Sequence, residues 1–142
     1  MLVVNSDDRP PRKIPELSFC GIAGNFAICR LNPADPIPEW ALKGTFTSIT
    51  RTNEELSIVT LAENVPESHK PDTPWMCLKI EGPFAFSEVG ILEAFIQPLA
   101  ESNIPILAIA TFDTDYVFVQ ENFLGVSMEA LEGAGHKLIP QA

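Results

Sequence analysis

Residues 79–119 restrict the fold most, because apolar runs and turns alternate there over a short distance. An apolar run leads into Gly82-Pro83, a helical pattern opens at Ser87, and a second apolar run and an acidic turn at 113–115 follow. Strand, helix, strand, turn and strand in this order must bury one face of a sheet against the helix. The unpaired N–H groups at such a helix start favour negative charge. The start can therefore be a small-anion or amino-acid site, or only a well-formed helix cap.

Residues 75–139 predict the order β-α-β-β-α-β. Pro98 lies inside the first helical pattern and predicts a kink or an early end there, compensated by packing. The run at 104–112 is apolar throughout, as is typical of a strand covered on both faces. Asn122 is expected to cap a second helix that Gly133 and Gly135 end. The predicted strands are 75–80, 104–112, 116–119 and 137–139. The inward stripes are Val89, Leu92, Phe95, Ile96 and Leu99, then Leu124, Met128 and Leu131.

The first half predicts short strands and one short helix, in the order β-β-α-β-β. Gly24-Asn25 separates two strand patterns and predicts a two-residue hairpin turn. Pro38 can begin a short helix, carrying Trp40, that stops at Gly44. The predicted strands of this half are 17–23, 26–31, 45–50 and 56–61.

Residues 62–74 contain three prolines and no periodicity, so they are the predicted boundary between two units. The predicted organisation is a tail at 1–15, an N-terminal unit at 16–64 and a C-terminal unit at 65–142. Each unit alone would bury a thin core, so the two are expected to share one sheet or one interface. The predicted class is α+β, with antiparallel sheets and helices packed on one face.

The composition excludes several functions. The net charge is −10, with 19 acidic and 9 basic residues, so a phosphate backbone is repelled and nucleic-acid binding is not expected. No apolar run approaches the roughly 18 residues of a membrane span, and no signal peptide is recognisable. A cytoplasmic location without a membrane partner is therefore expected.

Catalysis has little support in the sequence. His69 and His136 belong to no metal-ligand motif, and neither a P-loop nor a nucleophile elbow is present. Asp113 and Asp115 could act as an acid–base pair, but acidic turns of this length are common. No enzyme activity, cofactor or metal is therefore expected.

The three cysteines are an odd count without a CxxC pair, so neither a disulfide framework nor a zinc site is indicated. If Gly24-Asn25 is a hairpin turn, Cys20 lies opposite Cys29, close enough for a cross-strand disulfide. In a reducing compartment two buried thiols are expected instead.

The second half, with a glycine early in its first helix, resembles the ACT domain, a small regulatory fold that binds amino acids. GPFAFSEVGILEAFIQPLAESNIPILAIATFDTDYVFV at 82–119 is similar to a tandem-ACT branch. That branch includes small uncharacterised bacterial proteins and the cytosolic arginine sensor of animal nutrient signalling. FTSITRTNEELSIV at 46–59 is similar to its degenerate N-terminal lobe. The resemblance, over residues 16–139, implies two ACT-like units of the ferredoxin-like βαββαβ fold.

The resemblance also implies a ligand site where two ACT units lie side by side. The loop before the first helix supplies backbone contacts, and the end of the next strand, on a second unit, completes the site. The sensor's serine is Ala94 here, and Ser87 stands where the sensor has an acid, so the resemblance implies an amino-acid ligand without naming it. The implied ligand-binding residues are Gly82, Phe86, Ser87, Glu88, Val89, Gly90, Ile91, Leu92, Thr111, Phe112 and Asp115.

Two functions remain open at this point. One is a regulatory sensor, expected to be a homodimer, in which N–H groups at 89–91 meet the ligand carboxylate and Glu88 and Asp115 meet its cationic groups. The other is an interaction module without a ligand, which pairs with itself or with a regulated protein. Glu88 can instead be a first-turn helix acid, and Asp115 a turn residue bonded to its own backbone.

Overall fold

One antiparallel sheet carries both halves of the chain in the computed structural model, which describes residues 14–141. Most of the predicted tail at 1–15 therefore lies outside the described residues. Within them, no helix is both long and apolar enough to cross a membrane. The strands are β1 (Ser18–Leu31), β2 (Ser48–Arg51), β3 (Leu56–Leu61), β4 (Trp75–Ile80), β5 (Ile106–Ala110), β6 (Asp115–Gln120) and β7 (Lys137–Leu138). The α-helices are α1 (Ile91–Glu101) and α2 (Leu124–Gly133).

The strand order is β2-β3-β1-β4-β6-β5, and β7 pairs in parallel with the start of β1. The second half therefore has the predicted order of elements, and the α+β class is confirmed. The short helix predicted in the first half is a 3-10 turn at Glu39–Leu42, directly after Pro38. Because β1 lies between β4 and β7, the two halves share one sheet. This arrangement was expected, since each half alone would bury only a thin core.

The predicted hairpin at Gly24-Asn25 is wrong, because β1 continues through these residues as one strand of 14 residues. Gly24 has φ +102°, and the pairing with β4 shifts register between Ile22 and Phe26, so the two residues form a bulge. A Cβ at Gly24 would lie 2.7 Å from the side chain of Leu61, so a larger residue would require that side chain to shift. Glycine and asparagine favour a bulge as readily as a turn.

The alternative that set Cys20 opposite Cys29 across a hairpin is therefore wrong, whereas the expectation of two buried thiols is confirmed. Both lie on β1, where Cys20 is opposite Lys79 and Cys29 is opposite Ile58. All three cysteines are buried free thiols. Burial raises the pKa of Cys77 to about 12, so this thiol stays protonated at neutral pH.

Both α-helices pack on the same face of the sheet, as predicted. Phe95 of α1 meets Phe19 of β1 edge to face, with ring centroids 5.3 Å apart, and Leu131 of α2 belongs to the same buried cluster. Leu124 and Met128 pack against this cluster, which confirms the inward stripe of α2. On the opposite face, Phe46 covers the sheet by contacting Phe26, Tyr116 and Phe118.

The strand predicted at 104–112 is shorter than expected and is not covered on both faces. It is β5, which lies at the edge of the sheet and pairs only with β6. Ala108 and Ala110 are exposed, and Leu107 and Ile109 are half-buried. The apolar run therefore does not mark a central strand. Its outer edge has no partner among residues 14–141.

Helix α1 begins at Ile91, later than the predicted start at Ser87. Gly90 precedes it with φ +81°, a left-handed conformation that explains the glycine without placing it inside the helix. Val89 is 70% exposed and does not join the inward stripe. Asn122 does not cap α2, because it lies in a 3-10 turn at Glu121–Phe123, and Phe123 is the residue before the helix.

Helix α1 does not end early at Pro98, and a side chain from outside the helix compensates for the missing hydrogen bond. The helix continues to Glu101, although Pro98 has no N–H to donate to the carbonyl of Ala94 four residues earlier. The Nε2–H of His136 donates to this carbonyl at 2.8 Å. Its other ring nitrogen, Nδ1, accepts the backbone N–H of Leu17 at 3.0 Å. His136 is 4% exposed and directly precedes β7. Its two hydrogen bonds therefore connect this segment with α1 and with the residue before β1.

We predict that His136→Ala lowers the free energy of unfolding by about 2–5 kcal/mol, because it leaves a buried carbonyl and a buried N–H unpaired. Pro98→Ala supplies a helical N–H to Ala94, so the His136 substitution should cost less in that background. Chemical denaturation of the two single variants and the double variant measures the coupling, expected to exceed about 0.5 kcal/mol. Additive effects would contradict the assignment.

Candidate functional site

A cavity of about 160 Å³ lies where the loop before α1 meets the turn between β5 and β6. It lies at the end of β5, the strand at the free edge of the sheet, because Ala110 is among its lining residues. Its walls combine aromatic rings with carboxylates. They are formed by Phe84, Ala85, Phe86, Glu88, Ile91, Ala110, Thr111, Phe112, Asp113, Thr114 and Asp115.

The cavity brings together part of the predicted site. Glu88 and Asp115 line it from one chain, whereas the resemblance implied Asp115 from an adjacent unit. Gly82 does not line it, but a Cβ there would lie 3.0 Å from the carbonyl of Asp113, so this glycine permits the loops to approach. The predicted residues that line the cavity are Phe86, Glu88, Ile91, Thr111, Phe112 and Asp115; those that do not are Gly82, Ser87, Val89, Gly90 and Leu92.

Two hydrogen bonds hold the turn in place, one from the loop before α1 and one to the end of β4. The N–H of Phe84 donates to the carbonyl of Asp113 at 2.9 Å. The hydroxyl of Thr114 is buried and donates to the carbonyl of Ile80 at 2.6 Å. Sequence reasoning missed Thr114 as a positioning residue, and a hydroxyl between two acidic turn residues was the available signal. It also missed Phe84, Ala85 and Ala110 as cavity walls.

The turn itself is closed by Thr111. Its N–H and its hydroxyl both donate to the carbonyl of Thr114, at 2.8 and 2.9 Å. These bonds leave Phe112 at the tip of the turn, where it is 78% exposed. Its ring meets that of Phe86, which is 77% exposed, edge to face at 4.9 Å. Exposed aromatic rings at a cavity mouth are typical of a binding surface.

The carboxylate of Glu88 is occupied within its own loop. Its Oε2 accepts the N–H of Ala85 at 2.7 Å, and the N–H of Glu88 donates to the carbonyl of Ala85 at 3.0 Å. Glu88 precedes α1 by three residues, so it is not a first-turn helix acid. Its first role is to close the loop that forms one wall of the cavity.

Asp115 differs from Glu88 because its carboxylate forms no hydrogen bond or ion pair with another residue of 14–141. The side chain is half-buried, and desolvation raises its pKa above the ordinary value of 3.8. In its charged form, this carboxylate would form a charge-assisted hydrogen bond with a cation placed against it. Asp115 is therefore the side chain of the cavity best placed to bind a cation.

The start of α1 offers the opposite chemistry. The first helical hydrogen bond runs from the N–H of Ala94 to the carbonyl of Gly90, so the N–H groups of Ile91 and Leu92 precede the helical ladder. Ile91 also lines the cavity. Such N–H groups, together with the helix dipole, attract carboxylates and other anions. Cation-binding and anion-binding groups therefore border the same space.

We predict that Thr114→Val destabilises the protein by about 1–3 kcal/mol, because the buried carbonyl of Ile80 loses its donor. Thr111→Val is the matched control. Thr111 is an exposed residue, and the carbonyl that its hydroxyl binds keeps the N–H of Thr111, so the expected change is within about 0.5 kcal/mol. Thermal and chemical unfolding compare the two. Equal losses would show that the Thr114 hydroxyl does not hold the turn.

Comparison with known proteins is consistent with this architecture. The profile of the ACT domain family matches residues 71–133, and a profile for an N-terminal domain matches residues 24–68. A crystal structure of a protein from Agrobacterium tumefaciens is 41% identical, with a TM-score of 0.83, and the alignment covers 90% of this chain and 96% of that one. No functionally curated protein matches the chain.

More distant structures share the fold alone. A protein of unknown function from Vibrio cholerae is 23% identical with a TM-score of 0.68, over 85% of this chain and 91% of that one. The aspartate kinase of Clostridium acetobutylicum, described as an allosteric enzyme, is 12% identical with a TM-score of 0.61. That alignment covers 92% of this chain and 38% of the kinase. The chain belongs to the same family as the Agrobacterium protein, and its second half, residues 71–133, matches the ACT domain.

Proposed function

We propose that this protein is a regulatory sensor that binds an amino acid in the cavity between the loop before α1 and the turn at 111–115. The observation that supports this most is the unpaired carboxylate of Asp115 in an aromatic cavity that also borders the start of α1. An amino acid carries an ammonium and a carboxylate on neighbouring atoms. The cavity offers a partner for each.

The proposed orientation follows from these groups. The ligand ammonium pairs with Asp115, and its carboxylate accepts the N–H of Ile91, the first residue of α1, which lines the cavity. The side chain of the ligand lies against the phenylalanine rings of the loop and the turn. Glu88 holds the loop closed through Ala85, and its second carboxylate oxygen is available to the ligand.

A second copy of the chain would complete the site along β5. The edge at β5 has only Ile, Leu and Ala, whereas the opposite edge of the sheet ends β2 with exposed Arg51. Natural proteins protect free edges with charges, so the uncharged edge of β5 favours a partner strand. Antiparallel self-pairing centred on Ala108 brings no like charges together. It also covers the open mouth of the cavity near Phe86 and Phe112.

Pairing at β5 would convert ligand binding into a change in how two copies of the chain associate. If the ligand binds better to one arrangement of the two copies, it shifts the population toward that arrangement. A separate regulated protein would respond to the difference. In the alternative function, an interaction module without a ligand, the same edge would pair regardless of amino acids.

We predict that at least one of the twenty amino acids raises the midpoint of thermal unfolding. At 100 times its dissociation constant, the ligand should add about 2.7 kcal/mol to the free energy of unfolding. Asp115→Asn should remove this increase. Because desolvation raises the pKa of Asp115, folding disfavours its charged form at neutral pH, so the substitution should not lower the stability of the ligand-free protein.

The matched control for this substitution is Asp113→Asn. Asp113 is an exposed neighbour in the same turn, so its variant should keep most of the ligand response. Ligand stabilisation should also fade as the pH falls through the raised pKa of Asp115, since a protonated carboxyl cannot pair with the ammonium. A folded protein that responds to none of the twenty amino acids would contradict the proposal.

We predict that Ala108→Lys on β5 converts a dimer into a monomer, because a charge at a paired strand edge opposes association. Thr50→Lys is the control, since Thr50 is exposed on β2 at the other edge of the sheet. Analytical ultracentrifugation measures the mass of both variants and of the parent protein. A parent protein that is monomeric with and without amino acids would contradict pairing at β5.

A further inference from the structure

Two aromatic rings are exposed to solvent at the mouth of the cavity. Phe86 and Phe112 are 77% and 78% exposed, more than any other large apolar side chain of residues 14–141. They form a ring pair, which meets edge to face at 4.9 Å. Exposed apolar groups that cluster in this way usually mark a binding surface. The ring pair therefore calls for an occupant.

The residue at which the described chain starts, Ile14, lies close to the ring pair. Ile14 and Pro15 border a small hollow together with Gly90, the residue before α1. Gly90 is four residues from Phe86, or at most about 15 Å along the backbone. Residues 1–13 are therefore attached at a point from which the ring pair can be reached.

Residues 1–13, MLVVNSDDRPPRK, combine an apolar run with a basic cluster. Residues 2–4 are Leu, Val and Val, and residues 9–13 contain three of the nine Lys and Arg of the whole chain. The ten residues between Val4 and Ile14 span at most about 33 Å. The apolar run can therefore reach the ring pair while the basic cluster lies along the way.

The surface that the basic cluster would cross is acidic. Residues 80–136 contain nine Asp and Glu and no Lys or Arg. Glu88, Asp113 and Asp115 line the cavity. Opposite charges within a Debye length, about 10 Å at 0.1 M salt, attract one another. The charges at 9–13 therefore complement those around the cavity.

Contacts of this kind can be weak and still be occupied. Exposed ion pairs contribute little individually, and a short apolar run buries a small area. A segment of the same chain needs no strong contact, because a short flexible tether gives it an effective concentration in the millimolar range. The favoured occupant of the ring pair is therefore a segment that the chain itself supplies.

We propose that residues 2–13 bind to their own chain, with Leu2 and Val4 on the ring pair and the basic residues at 9–13 along the acidic surface of the cavity. The segment then covers the mouth of the cavity. The second copy proposed to pair at β5 covers the same mouth, so the two covers exclude each other and the segment opposes pairing. This last step rests on the proposed function, whereas the binding of the segment does not.

A spin label on the intact chain tests the binding. The label is attached at Ser6→Cys, since the three native thiols are buried. In the Ala108→Lys background, which is expected to be monomeric, it should lower the NMR intensity of the amides at 84–89 and 111–115 by about half or more. The turn at 52–55 lies five strand positions from β5, or about 24 Å, so its amides should keep their intensity.

Matched variants assign the effect to the apolar run and the ring pair. Leu2→Ser combined with Val4→Ser should restore the intensity at 111–115, and the control Asn5→Ser should not. Phe86→Ser should also restore it. Its control is Leu42→Ser, because Leu42 is a 64% exposed apolar residue in the first half of the chain. Higher salt should weaken the effect of the label. An effect that survives loss of the apolar run or of Phe86 would overturn the proposal.

Two further results would also overturn it. No loss of intensity at 84–89 and 111–115 in a folded protein would leave the ring pair to a different partner. Loss of intensity in an isotope-labelled chain mixed with a spin-labelled one would show that the segment belongs to a second copy.

Analytical ultracentrifugation tests the competition in the chain with Ala108. If the segment is bound half of the time, each of two copies is competent to pair half of the time, so the dissociation constant of the dimer is raised about fourfold. Leu2→Ser with Val4→Ser should remove this increase, and Asn5→Ser should leave it. An unchanged constant would overturn the competition. A parent chain and a Leu2→Ser, Val4→Ser chain that are both monomeric would contradict pairing at β5, while the spin-label result decides the binding of the segment separately.

Discussion

The hydrogen bond from His136 to the carbonyl of Ala94 is the interaction on which the architecture depends. Pro98 deprives that carbonyl of its helical donor, and a buried carbonyl without a donor is costly. His136 supplies the donor and accepts the N–H of Leu17 with its other nitrogen. One neutral side chain thereby joins α1 to the approaches of β1 and β7. The position of α1, and with it the start that borders the cavity, follows from this link.

The shared strand β1 has a similar effect on the sheet. Its first part lies between β4 and β7, and its second part pairs with β3. Neither half of the chain could form this sheet alone, since each lacks strands that the other provides. The free edge is thereby left at β5, beside the cavity. A binding site at a free edge can respond both to a small ligand and to a neighbouring strand.

Within the site, the satisfied groups hold the shape and the unsatisfied ones indicate the chemistry. Thr114 and Glu88 are committed to backbone partners at Ile80 and Ala85. Asp115 is not committed, and its raised pKa reflects the desolvation of a charge that no described residue pairs with. The exposed rings of Phe86 and Phe112 likewise lack a cover. These groups support ligand binding more strongly than the fold alone does.

The sequence by itself determined the order of elements from Trp75 onward, the α+β class and the two regions that meet at the cavity. Local periodicity and turn residues carry that information. Only the tertiary structure decided that Gly24-Asn25 is a bulge, that the apolar run of β5 lies at an edge, and that Asp115 and Glu88 of one chain line the same cavity. Turns and bulges favour the same residue types, and an apolar strand has the same sequence pattern at the edge of a sheet as in its centre. Which one forms depends on partners that are distant in the sequence.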